Sequence, residues 1–138
     1  MLALRTTPDL PDPNLQPPTI AEPGDPFAAL RIVHLVARLP REESVRVRDV
    51  VDRLNADYVD WSFSRGAVLA AIVQLQSNWL ADYRNSDGIV LDEDASGATV
   101  RIEDTPRVDG WIARQCRRLE EACTERLRAF AVEEGAIP

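Results

Sequence analysis

The chain has 138 residues, with 23 acidic and 16 basic side chains and a formal net charge of −7. Every basic residue is Arg and there is no Lys, which removes Lys-based catalysis. The length favours one domain with at most a tail, and 45% hydrophobic with 28% charged residues is the make-up of an ordinary soluble globular protein. The acidic balance speaks against a basic nucleic-acid coat or a polybasic membrane binder, yet leaves room for a local Arg patch.

Residues 1–26 hold seven of the ten Pro and no apolar signal-peptide core. They read as a Pro-rich extended arm, either a free tail or a strap across a partner or the domain itself. Asp25-Pro26 then caps and opens a helix that runs to about Leu39, where Pro40 stops it. Arg31, His34 and Arg38 form a thin cationic stripe on it, and apolar residues cover most of the rest. Val45-Arg46-Val47 alternates like a short strand, and Arg48 to Asn55 reads as a second helix burying Val50, Val51 and Leu54. Residues 56–63 are a polar and aromatic connection. Ser62 or Ser64 caps a third helix that runs to about Tyr83, with Val68, Leu69, Ile72, Val73, Leu75, Trp79 and Leu80 in its apolar pattern. After the breaker Asn85-Ser86-Asp87-Gly88, Ile89–Leu91 and Thr99–Ile102 make a β-hairpin. Thr105-Pro106 opens a last helix that ends near Glu134.

The expected fold is mainly α with a small β-hairpin. The order helix, strand, helix, helix, hairpin over residues 27–104 resembles the winged helix-turn-helix family, with residues 105–138 added as a long C-terminal helix. The resemblance implies that the short strand pairs with the hairpin, that the hairpin is the wing, and that the third helix enters the DNA major groove. The link between the second and third helices is longer than the family's tight turn, and the third helix is longer than most recognition helices.

On that reading the third helix presents Ser64, Arg65, Ala67, Ala71, Gln74, Ser77 and Asn78 on its polar side, so Arg65 and Gln74 are the base-edge candidates, with Ser64 and Asn78 as further contacts. Arg46, Arg48 and Arg53 are the phosphate candidates. Asp92-Glu93-Asp94 at the wing tip opposes both, because like charges repel phosphates. On the last helix, Ile112, Cys116, Leu119, Cys123 and Phe130 follow four-three spacing, with Leu127 taking over where Arg126 interrupts. Such a short stripe packs either on its own domain or on a second copy. The two Cys are too far apart on a helix, about 10 Å, for a disulfide.

Asp92, Asp94, Ser96, Gly97 and Glu103 match a calcium-loop spacing. Strand-like residues flank and interrupt the match, so a plain hairpin turn is expected and no metal site. His34 is the sole His, neither Cys has a His near it in sequence, and the six Gly are scattered singly. No catalytic constellation and no cofactor site emerges. The longest apolar run, Ala67 to Val73, is far short of the roughly 20 residues of a membrane span. The expectation is a cytoplasmic, non-catalytic interaction module, a small subunit or adaptor that binds a protein partner or a second copy of itself. The alternative is a dimeric DNA-binding transcriptional regulator.

The net charge has an address. Residues 1–26 carry one Arg against four acids and residues 85–104 one Arg against six. Residues 27–84 carry eight Arg against seven acids, and the last segment is balanced. The helical part that would face DNA is neutral to slightly basic.

Overall fold

The computed structural model describes residues 19–85, 87–133 and 135. It is a mainly helical domain of four helices and a small antiparallel sheet. Residues 1–18, most of the expected arm, lie outside the described residues. The rest of the arm is laid on the domain: strand β1 (Thr19–Ile20) pairs in parallel with β3 (Trp61–Ser62). Thr19 N–H donates to Asp60 O at 2.7 Å and Ala21 N–H to Ser62 O at 2.9 Å, and Ala21 is buried.

Helix α1 (Pro26–Ala37) starts where the capping chemistry places it. The Asp25 carboxylate accepts from Phe27 N–H at 2.9 Å, and Pro26 takes the first helical position, which needs no donor. Its inner face is Ala28, Ile32, Val33, Leu35 and Val36. The cationic stripe is not uniform. His34 and Arg38 are exposed, but Arg31 is half-buried, with its guanidinium 4.2 Å from the Trp61 ring centroid and 5.5 Å from that of Tyr58. The aromatic connection and α1 meet through that cation–π contact.

Strand β2 (Val45–Arg46) leads directly into α2 (Val47–Asp57), which buries Val47, Val50 and Leu54. Asn55 then clamps the connection: its side chain accepts from Phe63 N–H at 2.8 Å and donates to Phe63 O at 3.1 Å. Of the two candidate caps for α3 (Arg65–Tyr83), Ser64 is the one used, its hydroxyl accepting from Ala67 N–H at 3.1 Å. The hairpin is β4 (Ile89–Asp94) and β5 (Gly97–Ile102), in register from Ile89↔Ile102 to Asp94↔Gly97. Strand β2 pairs on the other edge of β5, giving the order β2-β5-β4. Ala98, Val100 and Ile102 alternate into the core, as a half-buried strand requires.

Helix α4 (Val108–Glu133) runs antiparallel along α1, its main helical contact. Arg41 pairs with Asp109 at one end. At the other end Cys123 is buried close enough to Asp25 and Arg31 to sense their charge. Helix α4 is fixed to α3 by an aromatic joint. Trp79 and Trp111, both fully buried, meet edge to face with centroids 5.1 Å apart. The Trp111 indole N–H donates to Asp82 at 2.8 Å, and that of Trp79 is shared between Asn85 and Asp87. Among the described residues no helix is long and apolar enough to cross a membrane.

Gly88, buried at the start of β4, lies flat on Trp79, and a Cβ there would overlap the indole. Gly88→Ala is therefore expected to destabilise the domain by about 1–3 kcal/mol, the usual cost of overpacking. Gly66→Ala, in the first turn of α3 with only the Ser64 hydroxyl at 3.9 Å, is expected to be neutral or to gain up to about 1 kcal/mol. Urea unfolding midpoints of the two variants check the contrast.

Candidate nucleic-acid interface

Three of the arginines singled out from sequence come together. Arg46 ends β2, Arg48 sits in the first turn of α2, and Arg65 is the first residue of α3. They line one recess of about 150 Å³ with Ser96, Gly97 and Ala98 of the hairpin tip. The local reason is plain. Val47 is driven into the core, so Arg46 and Arg48 on either side of it stay in solvent, and pairing of β2 with β5 carries both to the hairpin. Ser64 is exposed at the same end of α3. Arg53 does not join them. It lies further along α2, where its guanidinium is held by Asp57 at 3.1 Å.

The recess carries its own counter-charge. Glu93 lies 3.8 Å from the Arg65 guanidinium in an exposed pair, which contributes little to stability. Asp94 accepts at its Oδ1 from the Ser96 hydroxyl at 2.6 Å and from Ser96 N–H at 2.8 Å. Those bonds, with the nearby Arg46 charge, hold its carboxyl below the usual carboxylate range. Acids and arginines are thus interleaved at this end of the molecule.

The rest of α3 differs from the sequence expectation. Gln74 and Asn78 are bonded to each other at 2.8 Å and line a separate cleft between α1, α3 and α4. At about 100° per residue, nine positions put Gln74 on the side of the helix opposite Arg65. Ala67 is buried and Ala71 half-buried, so neither belongs to an outer polar face. Val73 and Leu80, expected inside, are 43% and 49% exposed. The outer face of α3 is therefore Gly66, Ala70, Val73, Ser77 and Leu80, with one polar side chain.

The calcium-like spacing is used as a hairpin. Asp94 ends β4 beside the turn, while Glu103 lies six residues beyond its ladder partner Gly97, or about 20 Å at about 3.4 Å per residue. Glu103 is instead bonded to Arg101 at 3.2 Å, which lowers its pKa. Among the described residues no group of three or more His, Cys, Asp or Glu is placed to hold a metal ion.

On α4, Ile112 and Cys123 are buried and Cys116 and Leu119 half-buried, whereas Leu127 and Phe130 are each 59% exposed. The four-three stripe therefore packs on the domain in its first part and stands free of it in its last turns. Cys116 and His34 line the same shallow depression between α1 and α4, a proximity that sequence spacing does not signal. The buried amide of Gln115, in the α1–α3–α4 cleft, is a second feature that sequence reading misses. A lone Gln among the charges of α4 gives no hint that it faces inward.

No family model and no curated protein matches the chain. Among solved structures, it is similar to the crystal structure of the circadian clock associated protein Pex from Anabaena. The identity is 13% and the TM-score 0.43, over 80% of this chain and 88% of that one. At that distance the likeness fixes neither fold nor function.

Burial raises the thiol pKa of both Cys116 and Cys123, with nearby acids acting in the same direction. Both thiols are expected to react with a neutral alkylating agent more slowly than a free thiol at pH 8, and at the ordinary rate in urea. Mass spectrometry of timed reactions checks this. Native-state labelling of either Cys as fast as in urea would contradict the burial.

Proposed function

We propose that the chain is a non-catalytic winged-helix protein that binds DNA as a regulator, mainly through backbone phosphates. The element order α1-β2-α2-β3-α3-β4-β5, with β2 paired on the hairpin, supports the winged-helix reading. The observation that carries DNA binding is the convergence of Arg46, Arg48 and Arg65 at the start of α3 beside the hairpin tip. Guanidinium groups suit bidentate contacts to phosphate, and the first turn of a helix favours an anion. The outer face of α3 offers one hydroxyl among small and apolar side chains, so base-edge readout is weak and sequence preference modest.

Fluorescence anisotropy with a mixed-sequence duplex tests this. Three phosphate contacts give a log–log salt slope of about −2.7, and Arg65→Ala is expected to reduce it by about one unit. Glu93→Gln, which removes the charge facing Arg65, is expected to tighten binding. Absence of binding to the duplex at low salt excludes the reading.

A second reading is favoured by a different observation: apolar side chains stand in solvent on α3 (Val73, Leu80) and on the last turns of α4 (Leu127, Phe130, Val132). The ten residues of α4 beyond Cys123 extend about 15 Å at 1.5 Å each. They carry the continuation of a stripe that α1 covers elsewhere. This fits a protein partner, with a second copy as the simplest case. Light scattering is expected to give a dimer mass for the parent and a monomer mass for Leu127→Glu with Phe130→Glu. A monomeric parent excludes the second-copy case.

A further inference from the structure

We propose that the cleft between α1, α3 and α4 binds a small organic carboxylate with a compact apolar body. The cleft holds about 180 Å³, below the range of drug-sized pockets and equal to roughly six waters at about 30 Å³ each. Val33 of α1, Leu75 of α3 and Leu119 of α4 supply apolar wall on three sides. A water-filled recess of that lining is poorly used, because apolar surface gains by burial against an apolar body.

The polar groups are three side-chain amides and one guanidinium. Gln115 is 4% exposed, and its Nε2 has no hydrogen-bond partner among the described residues. A buried amide donor without an acceptor is uncommon in a folded protein and marks a place where one is to be supplied. The Gln115 side chain is part of the cleft lining, and an amide NH2 donates to an acceptor placed beside it. Arg118 adds a guanidinium at the exposed rim, and it makes no ion pair among the described residues. Gln74 donates to the Asn78 carbonyl oxygen, which leaves the Asn78 NH2 as a further donor. No Asp or Glu lines the cleft. A cation with no carboxylate beside it in the lining favours an anion, and the apolar walls favour one with a hydrocarbon part over an inorganic ion.

The site is separate from the Arg recess, since Gln74 and Arg65 occupy opposite sides of α3, and it does not depend on DNA binding. Isothermal titration and thermal unfolding of the full chain with benzoate and with isovalerate test it. Benzyl alcohol and isoamyl alcohol serve as neutral counterparts, and inorganic phosphate as the bare anion. Both acids are expected to bind at millimolar concentration or below and to raise Tm. The alcohols and phosphate are expected to bind at least about tenfold more weakly, the loss of one charge-assisted contact. Arg118→Ala, at an exposed position, keeps the fold and is expected to weaken the acids about tenfold. Gln115→Leu keeps the Arg118 charge and is expected to narrow, without abolishing, the preference of the acids over the alcohols. Failure of both acids to bind, equal binding of acids and alcohols, or affinity unchanged in Arg118→Ala would overturn the proposal.

Discussion

The domain depends on the edge-to-face contact of Trp79 with Trp111. Helix α4 is rich in charge, and among the residues it buries only Trp111 has a large aromatic ring. That ring is held three ways: by the Trp79 edge, by the Asp82 carboxylate on its indole N–H, and by the surrounding core. A buried indole N–H without a partner would be costly, so Asp82 fixes the rotation of α4 against α3 as well as its distance. Trp79 in turn lies on Gly88, which sets where β4 begins. One joint thus positions the end of α3, the start of the hairpin and the start of α4.

Given that joint, the two polar regions of α3 follow. Its first turn is pinned by Ser64 near the hairpin tip, where Arg46, Arg48 and Arg65 gather. Further along, the edge away from Arg65 faces α4, and there the cleft with Gln115 and Arg118 opens. Charge divides them. The recess holds arginines interleaved with Glu93 and Asp94, so its field is short-ranged and salt-sensitive. The cleft has a cation and amide donors with no acid. The overall charge of −7 says nothing about either, because its excess lies in residues 1–26 and 85–104.

What was legible in the sequence was local. Asp25-Pro26, Ser64 and the Asn85–Gly88 breaker each act within a few residues, and each bounds an element close to where it reads. The hairpin follows from alternation and turn chemistry that lie within one short stretch. The β1–β3 pairing was not legible, since two residues on each strand leave no period to detect and the partners are forty residues apart. Arg31 reads as one member of a cationic stripe, because a stripe on one helix cannot show that Trp61 comes to cover it. On α3 the difficulty was different. Apolar residues run right round the helix, so the pattern does not say which are inside, and it reads Val73 and Leu80 inward and Ala67 and Ala71 outward. The separation of Arg65 from Gln74 was available all along from helical geometry.

The length of α3 has a physical reason in this arrangement. Its 19 residues span about 28 Å at 1.5 Å each. A shorter helix would reach the hairpin or the Trp joint, but not both. The cost is an outer face too apolar for a free surface helix, and that face lies between the recess and the cleft. A body seated in the cleft touches Leu75, about one turn from Trp79 and nearly three turns from Arg65. It moves the recess only if it favours one placement of α3 over another, since a ligand indifferent between two placements shifts neither. Trp79 and Gly88 leave α3 little freedom at its C-terminal end, so any such displacement is a tilt about the joint. A tilt about one end is largest at the other, and Arg65 is the residue that would travel furthest.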